Sequence, residues 1–128
     1  MSYQFNPFTG TFDAVGTTGG PGPGPSVWTN GNLTITSSSS SVINSEAMSS
    51  FQTDFYFITI KRVSDNAVRS FNFTVTNDNG SLKDVVHNRI GSNLNIEIDA
   101  IINGLDYEVV VTNNNASDIE VSYIKSLI

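Results

Sequence analysis

Cysteine is absent from these 128 residues, which excludes disulfide stapling, thiolate metal sites and a cysteine nucleophile. Charge is scarce: 14% of residues are Asp, Glu, Lys or Arg, with 12 acids against 6 bases and a net charge of -6. Phosphate-backbone binding needs a basic footprint, so nucleic acid is not an expected partner. No apolar run approaches the roughly 18 residues that span a bilayer, so no membrane partner is expected. The first residues lack a basic stretch followed by an apolar one, so no signal peptide is expected. All four prolines lie before residue 26. There is one histidine and one tryptophan.

What fills the chain instead is β-forming and hydroxylated. Leu, Ile, Val and Phe make up 37 residues, too many for a disordered chain. Ser, Thr and Asn contribute 44 more. Helix formers are few, and β-branched residues and turn formers are many. The composition predicts an all-β protein with a surface of hydroxyls and amides.

Three regions follow. Residues 1-15 carry four aromatics, Tyr3, Phe5, Phe8 and Phe12, and read as an extended arm with a tight turn at Asn6-Pro7 and Thr9-Gly10. Residues 16-26 are a Gly/Pro spacer, because alternating Gly and Pro sustains neither helix nor central strand. Residues 27-128 are the β-domain.

Period-two patterning in that domain predicts strands at 32–36, 53–63, 68–76, 82–90, 94–100, 105–111 and 119–128. Thr53–Val63 is apolar on both sides, with Phe55 and Phe57 on one and Tyr56, Ile58 and Ile60 on the other, and so predicts burial on both. Asn77–Gly80 predicts a type I′ turn, and Asn103-Gly104 a hairpin followed by inward Leu105, Tyr107, Val109 and Val111. Ser37–Ser41 reads as a loop. The whole predicts a single β-sandwich or jelly roll of about seven strands preceded by an extended N-terminal arm.

No constellation of catalytic residues emerges. His87 lacks a nucleophile and a carboxylate beside it, since Asp84 falls on the opposite side of the strand. The acid pairs Glu97/Asp99, Asp106/Glu108 and Asp118/Glu120 read as solvated faces rather than the flanking carboxylates of a glycosidase. Asn77–Ser81 has oxygen atoms but not the spacing of a calcium loop. The four Asn-x-Ser/Thr triplets, at Asn32, Asn72, Asn79 and Asn115, are about what chance gives in so Asn-, Ser- and Thr-rich a chain. The expectation is a non-enzymatic protein with no cofactor and no metal. Val110, Ile124 and Ile128 break the polar side of their strands and predict an oligomer face.

The informative segment is the arm. Burying four aromatics contributes roughly 6–12 kcal/mol, against on the order of 15–30 kcal/mol for ordering fifteen backbones. An acceptor that also satisfies the backbone is therefore expected, on a neighbouring subunit or on the protein's own body, with Tyr3, Phe5, Asn6, Pro7, Phe8 and Phe12 as the docking residues. The run Asn6-Pro7-Phe8-Thr9-Gly10-Thr11-Phe12-Asp13 resembles the Asn-Pro-Phe-Thr-Gly-x-hydrophobic-Asp opening of small virion structural proteins of tailed bacteriophages of marine bacteria and cyanobacteria. That resemblance implies a tail- or fibre-type appendage protein in the virion. Its arm would attach it to other virion structural proteins, and its body would form a homo-oligomer, a trimer by analogy with fibres. Capsid decoration, as a cement protein, is the alternative within the class. A carbohydrate-binding β-sandwich module is the alternative outside it, with a host surface glycan as partner and Trp28 and Tyr123 as its candidate platforms.

Overall fold

The computed structural model describes the backbone of residues 2–6, 11–15 and 28–127, and the side chains of residues 29–126. The described strands are β1 (Ser2–Asn6), β2 (Thr11–Val15), β3 (Trp28–Ile35), β4 (Ser40–Ala47), β5 (Thr53–Arg62), β6 (Val68–Asp78), β7 (Ser81–Gly91), β8 (Ile96–Asn103), β9 (Asp106–Asn113) and β10 (Ile119–Leu127). One 3₁₀ turn, Met48–Ser50, joins β4 to β5.

The body is a β-sandwich of two antiparallel sheets. The larger has five strands in the order β3-β10-β5-β6-β7, and the smaller has three in the order β4-β9-β8. The meander β5-β6-β7 stays in the larger sheet and the hairpin β8-β9 in the smaller. The chain changes sheet after β3, β4, β7 and β9. β1 and β2 form a separate two-stranded antiparallel sheet.

Alternation explains the core. Tyr56, Ile58 and Ile60 of β5, Phe71, Phe73 and Val75 of β6, and Ile119 and Val121 of β10 point inward and are buried. Tyr107, Val109 and Val111 of β9 face them from the smaller sheet, with Ile43 of β4. Leu94 and Phe51, from two of the sheet-changing connections, close the sides. Each buried apolar side chain contributes about 1.5–3 kcal/mol.

The turns explain the registers. Asp78 pairs with Ser81 across Asn79-Gly80, both at positive φ (54° and 88°), which is the expected I′ turn. Asn77 Oδ1 accepts the Gly80 amide at 2.8 Å. The second hairpin sits one residue later than expected: Asn103 pairs with Asp106, so Gly104 (φ 66°) and Leu105 form the turn.

The expected β-sandwich of about seven strands is present, with eight strands because β4 runs through a serine-rich stretch. Three finer expectations change. Ser40 and Ser41, expected in a loop, are strand residues paired with Thr112 and Val111. Thr53–Val63 is buried on one side only: Phe55 and Phe57 are 38% and 45% exposed on the outer surface of the larger sheet, and Val63 lies beyond the strand. Leu105, expected inward, is a turn residue and 86% exposed. For Phe55 and Phe57 the physical reason is the layer architecture. Hydrophobicity specifies which side chains can be buried, but a two-layer sandwich covers only one side of each sheet.

Candidate functional site

The arm is a hairpin. Ser2 pairs with Val15 and Asn6 with Thr11, so the two short extended pieces expected from sequence pair with each other. Phe5 stands opposite Phe12 and Tyr3 opposite Ala14. By the period of two, these four positions share one side of the ribbon, and Gln4, Asn6, Thr11 and Asp13 share the other. The arm thus supplies part of its own backbone hydrogen bonding. Pro7, Phe8 and the 16-26 spacer lie outside the described residues.

The expected oligomer residues do not form one surface. Val110 is on the outside of the smaller sheet, between Val42 and Asp99 in register, close to the acids Glu97 and Glu108. Ile124 is on the outside of the larger sheet, between Asn30 and Phe57. Ile128 lies outside the described residues. Around Ile124 the outer surface carries Phe55, Phe57, Thr59, Asn72, Thr74 and Ser122, an uncharged mix of aromatic and hydroxyl or amide groups.

Of the candidate sugar platforms, Tyr123 is half-buried. Its ring covers Gly31, where a Cβ would meet it, and its hydroxyl donates to Asn44 Oδ1 at 3.3 Å. It is a packing residue. The Trp28 side chain lies outside those described.

His87 is half-buried on the outer surface, its Nε2 3.1 Å from the Thr74 hydroxyl. Glu97, Asp99, Asp106 and Glu120 are exposed, and Glu108 is half-buried. Asp118 Oδ1 accepts the Ser37 amide at 3.2 Å, and Glu120 lies 3.4 Å from the Lys61 ammonium. Among the described residues no group of three or more His, Cys, Asp or Glu is placed to hold a metal ion.

Sequence reasoning missed the strongest electrostatic feature, a buried cluster between the sheets. Asp54 of β5 has no solvent exposure, and Lys125 of β10 has 8%. Hydrogen bonds run in one direction toward Asp54. The Tyr123 hydroxyl donates to Asn44 Oδ1, and Asn44 Nδ2 donates to the Tyr56 oxygen at 2.8 Å. Tyr56 lies 2.6 Å from the Tyr107 hydroxyl, which in turn donates to Asp54 Oδ2. Because Tyr107 gives its only proton to Asp54, Tyr56 must be the donor in the pair of phenols.

Lys125 lies 2.7 Å from Glu46 Oε2 and 3.7 Å from Asp54 Oδ2. Glu46 Oε2 and Asp54 Oδ1 are both buried, the first paired with the Lys125 ammonium and the second without a donor among the described residues. One proton on Asp54 Oδ1, shared with Glu46, satisfies both. Burial, reinforced by Glu46, pushes the Asp54 carboxyl up to about 7. Burial alone would also raise Glu46, but its interaction with Asp54 and the Lys125 ammonium outweigh this and hold it below its usual value. Burial raises both phenols, which stay protonated. Below about pH 7 the cluster is therefore a neutral unit of one carboxylate, one carboxylic acid and one ammonium. Asp54, Tyr56 and Tyr107 have no exposed surface, so it acts on packing rather than on a substrate.

A sequence signal existed for it. Asp54 holds the inward parity of Tyr56, Ile58 and Ile60, and Lys125 that of Val121 and Tyr123. A charge at an inward position of an apolar alternation must be buried and paired.

No family model matches the chain. No curated protein matches it either. Among solved structures the chain is similar to the tailspike protein of Acinetobacter baumannii phage AM24, at 6% identity and a TM-score of 0.46 over 80% of this chain. The chain spans 26% of the length of that tailspike chain.

Proposed function

We propose that this chain is a non-enzymatic structural component of a tailed-phage virion, a tail- or fibre-type appendage protein held to a neighbouring virion subunit by its arm. The observation that carries the reading is the arm's hairpin. It forms its own two-stranded sheet, pairs with neither sandwich sheet, and gathers the Tyr3, Phe5, Phe12 and Ala14 positions on one side. An isolated two-stranded hairpin is marginal in water and gains stability when its apolar side is covered. The resemblance of Asn6–Asp13 to the opening of small virion proteins names the kind of acceptor.

The body associates with its copies through the outer surface of the larger sheet, around Ile124 and Phe57. The smaller sheet's outer surface, with Glu97, Asp99 and Glu108, would oppose like charges against a copy related face to face. A trimer is the preferred assembly. Phe57→Asp is expected to return the protein to a monomer in sedimentation; an unchanged assembly removes this surface from the reading.

The arm is tested by replacing Phe5 and Phe12 with Ser in the full chain and measuring incorporation into particles. Lost incorporation with an unchanged sandwich, seen in the circular dichroism, supports docking. Full incorporation would overturn it. Imaging of labelled protein on the particle then separates the tail from the shell, where a decoration protein would sit.

A further inference from the structure

A cleft of about 290 Å³ opens at the side of the sandwich, where β6 and β7 of the larger sheet meet β8 of the smaller. Phe71, Val86, Ile96 and Ile98 supply its apolar lining. Arg69 and Arg89 stand on the side of the larger sheet, and Glu97 and Asp99 lie at the β8 rim, on the outer side of the smaller sheet.

The two arginines are brought together by backbone irregularity. His87 pairs with Asn72 and Ile90 with Ser70, so two residues, Asn88 and Arg89, stand opposite the single Phe71. Strict alternation would send Arg89 to the outer surface with His87. The bulge, with Asn88 at φ 56°, turns it to the side of Arg69 instead. Gly91, opposite Arg69 at φ 107°, is the second irregularity. A Cβ there would collide with the Val68 carbonyl oxygen, so only glycine allows this approach.

The pair is electrostatically incomplete. Lys61, Arg62 and Lys125 each have a carboxylate within 4 Å. Arg69, Arg89 and Lys83 have none among the described residues, and of these three Arg69 and Arg89 share the cleft. Arg69 is held in place by its Nε donating to Ser92 O at 3.0 Å and its Nη2 donating to Asn93 Oδ1. Arg89 is exposed, and no described group accepts from it. Burial and the Arg89 charge both weaken the hold of Arg69 on its proton. Two neighbouring guanidiniums without a counter-ion, one of them anchored, are stabilised by an oxyanion that accepts from both.

We infer that this cleft binds a small hydroxylated carboxylate of the sugar-acid class, with its carboxylate on Arg69 and Arg89 and its hydroxyls reaching outward to Glu97 and Asp99 at the rim. The apolar lining takes the C–H surface of such a ligand. The rim carboxylates disfavour polyanions, which restricts the ligand to one negative charge. This inference stands on the cleft alone and is independent of the arm.

The test is titration of the full chain with glucuronate, followed by amide NMR. Shifts confined to residues around Arg89, Phe71 and Ile98, saturating with glucuronate and absent with glucose, are the expected result. Arg89→Gln, which removes a side chain that no described group holds, is expected to weaken binding by at least about tenfold with an unchanged fold. Equal binding of glutamate would reassign the cleft to zwitterions, with Glu97 and Asp99 holding the ammonium, and equal binding of inorganic phosphate would reduce it to a simple anion site. Either result, an absence of shifts, or unchanged affinity in Arg89→Gln would overturn the inference.

Discussion

Two buried polar knots close opposite ends of the sandwich interior, and they solve the same problem differently. At one end Asn113, fully buried at the end of β9, donates to the carbonyls of Ile35, Thr36 and Ser117 at 2.9–3.1 Å. Its Oδ1 accepts from the backbone and side-chain amides of Asn115, whose own Oδ1 accepts from Arg62. At the other end Asp54, Glu46 and Lys125 meet beneath Tyr56 and Tyr107. The amide knot uses groups that carry donors and acceptors together, so it is complete at any pH. The ionic knot has two acceptor-only carboxyls and is complete only with a proton between them. One end of the domain is thus insensitive to pH, and the other is tuned to it.

Breaking each knot should expose that difference. The largest effect is expected from Lys125→Met, which leaves Glu46 and Asp54 buried against each other without their cation. A loss of about 3–5 kcal/mol is expected in urea unfolding, against near-neutrality if the ammonium were solvated. Asn113→Ala removes the donors to three carbonyls and the acceptor for Asn115. It is expected to cost about 2–4 kcal/mol, by an amount that does not change between pH 5.5 and 8.5.

The third effect is smaller and concerns pH in the unmodified protein. The folded-state value of Asp54, about 7, lies above its ordinary 3.8, so its contribution is complete below about pH 4 and is lost as pH rises through 7. Glu46 is lowered, so its contribution is present above its ordinary 4.5 and is lost as pH falls through the folded value. Stability should therefore peak near pH 4–4.5, decline by about 1–3 kcal/mol as pH rises to about 7, and level off above that. Asp54→Asn, which keeps the shape and removes the titration, should flatten the decline between about pH 4 and 7. A decline that persists in this variant would place its origin elsewhere.

The legible part of the fold was the part written in period-two hydrophobicity. Phe71, Phe73 and Val75 announced β6 and its inward side, and Asn79-Gly80 announced its turn. β4 was not legible because Ser40, Ser41, Asn44 and Ser45 dilute the alternation. A bulge after Val42 also puts Ile43 and Asn44 on the same side, which breaks the period. The same kind of defect hid the cleft: the bulge at Asn88 and Arg89 moves a charge across the strand in a way no alternation rule anticipates. Phe55 and Phe57 misled in the other direction, since aromatic residues are as suited to an open sheet surface that meets a partner as to a core.

Glu46 and Asp54 are eight positions apart in the chain, on strands of different sheets. Their meeting depends on the Met48–Ser50 turn carrying the chain across the sandwich. Arg69 and Arg89 meet across two neighbouring strands at a register set by two left-handed residues.

Local chemistry, which acts over a few residues through backbone preference and side-chain period, determined the all-β class and the I′ turn at Asn79-Gly80. The tertiary structure alone decided which apolar side stayed open, which charges were buried and which arginines became neighbours. Burial and electrostatic pairing depend on distances between strands, and those distances exist only once the two sheets have packed.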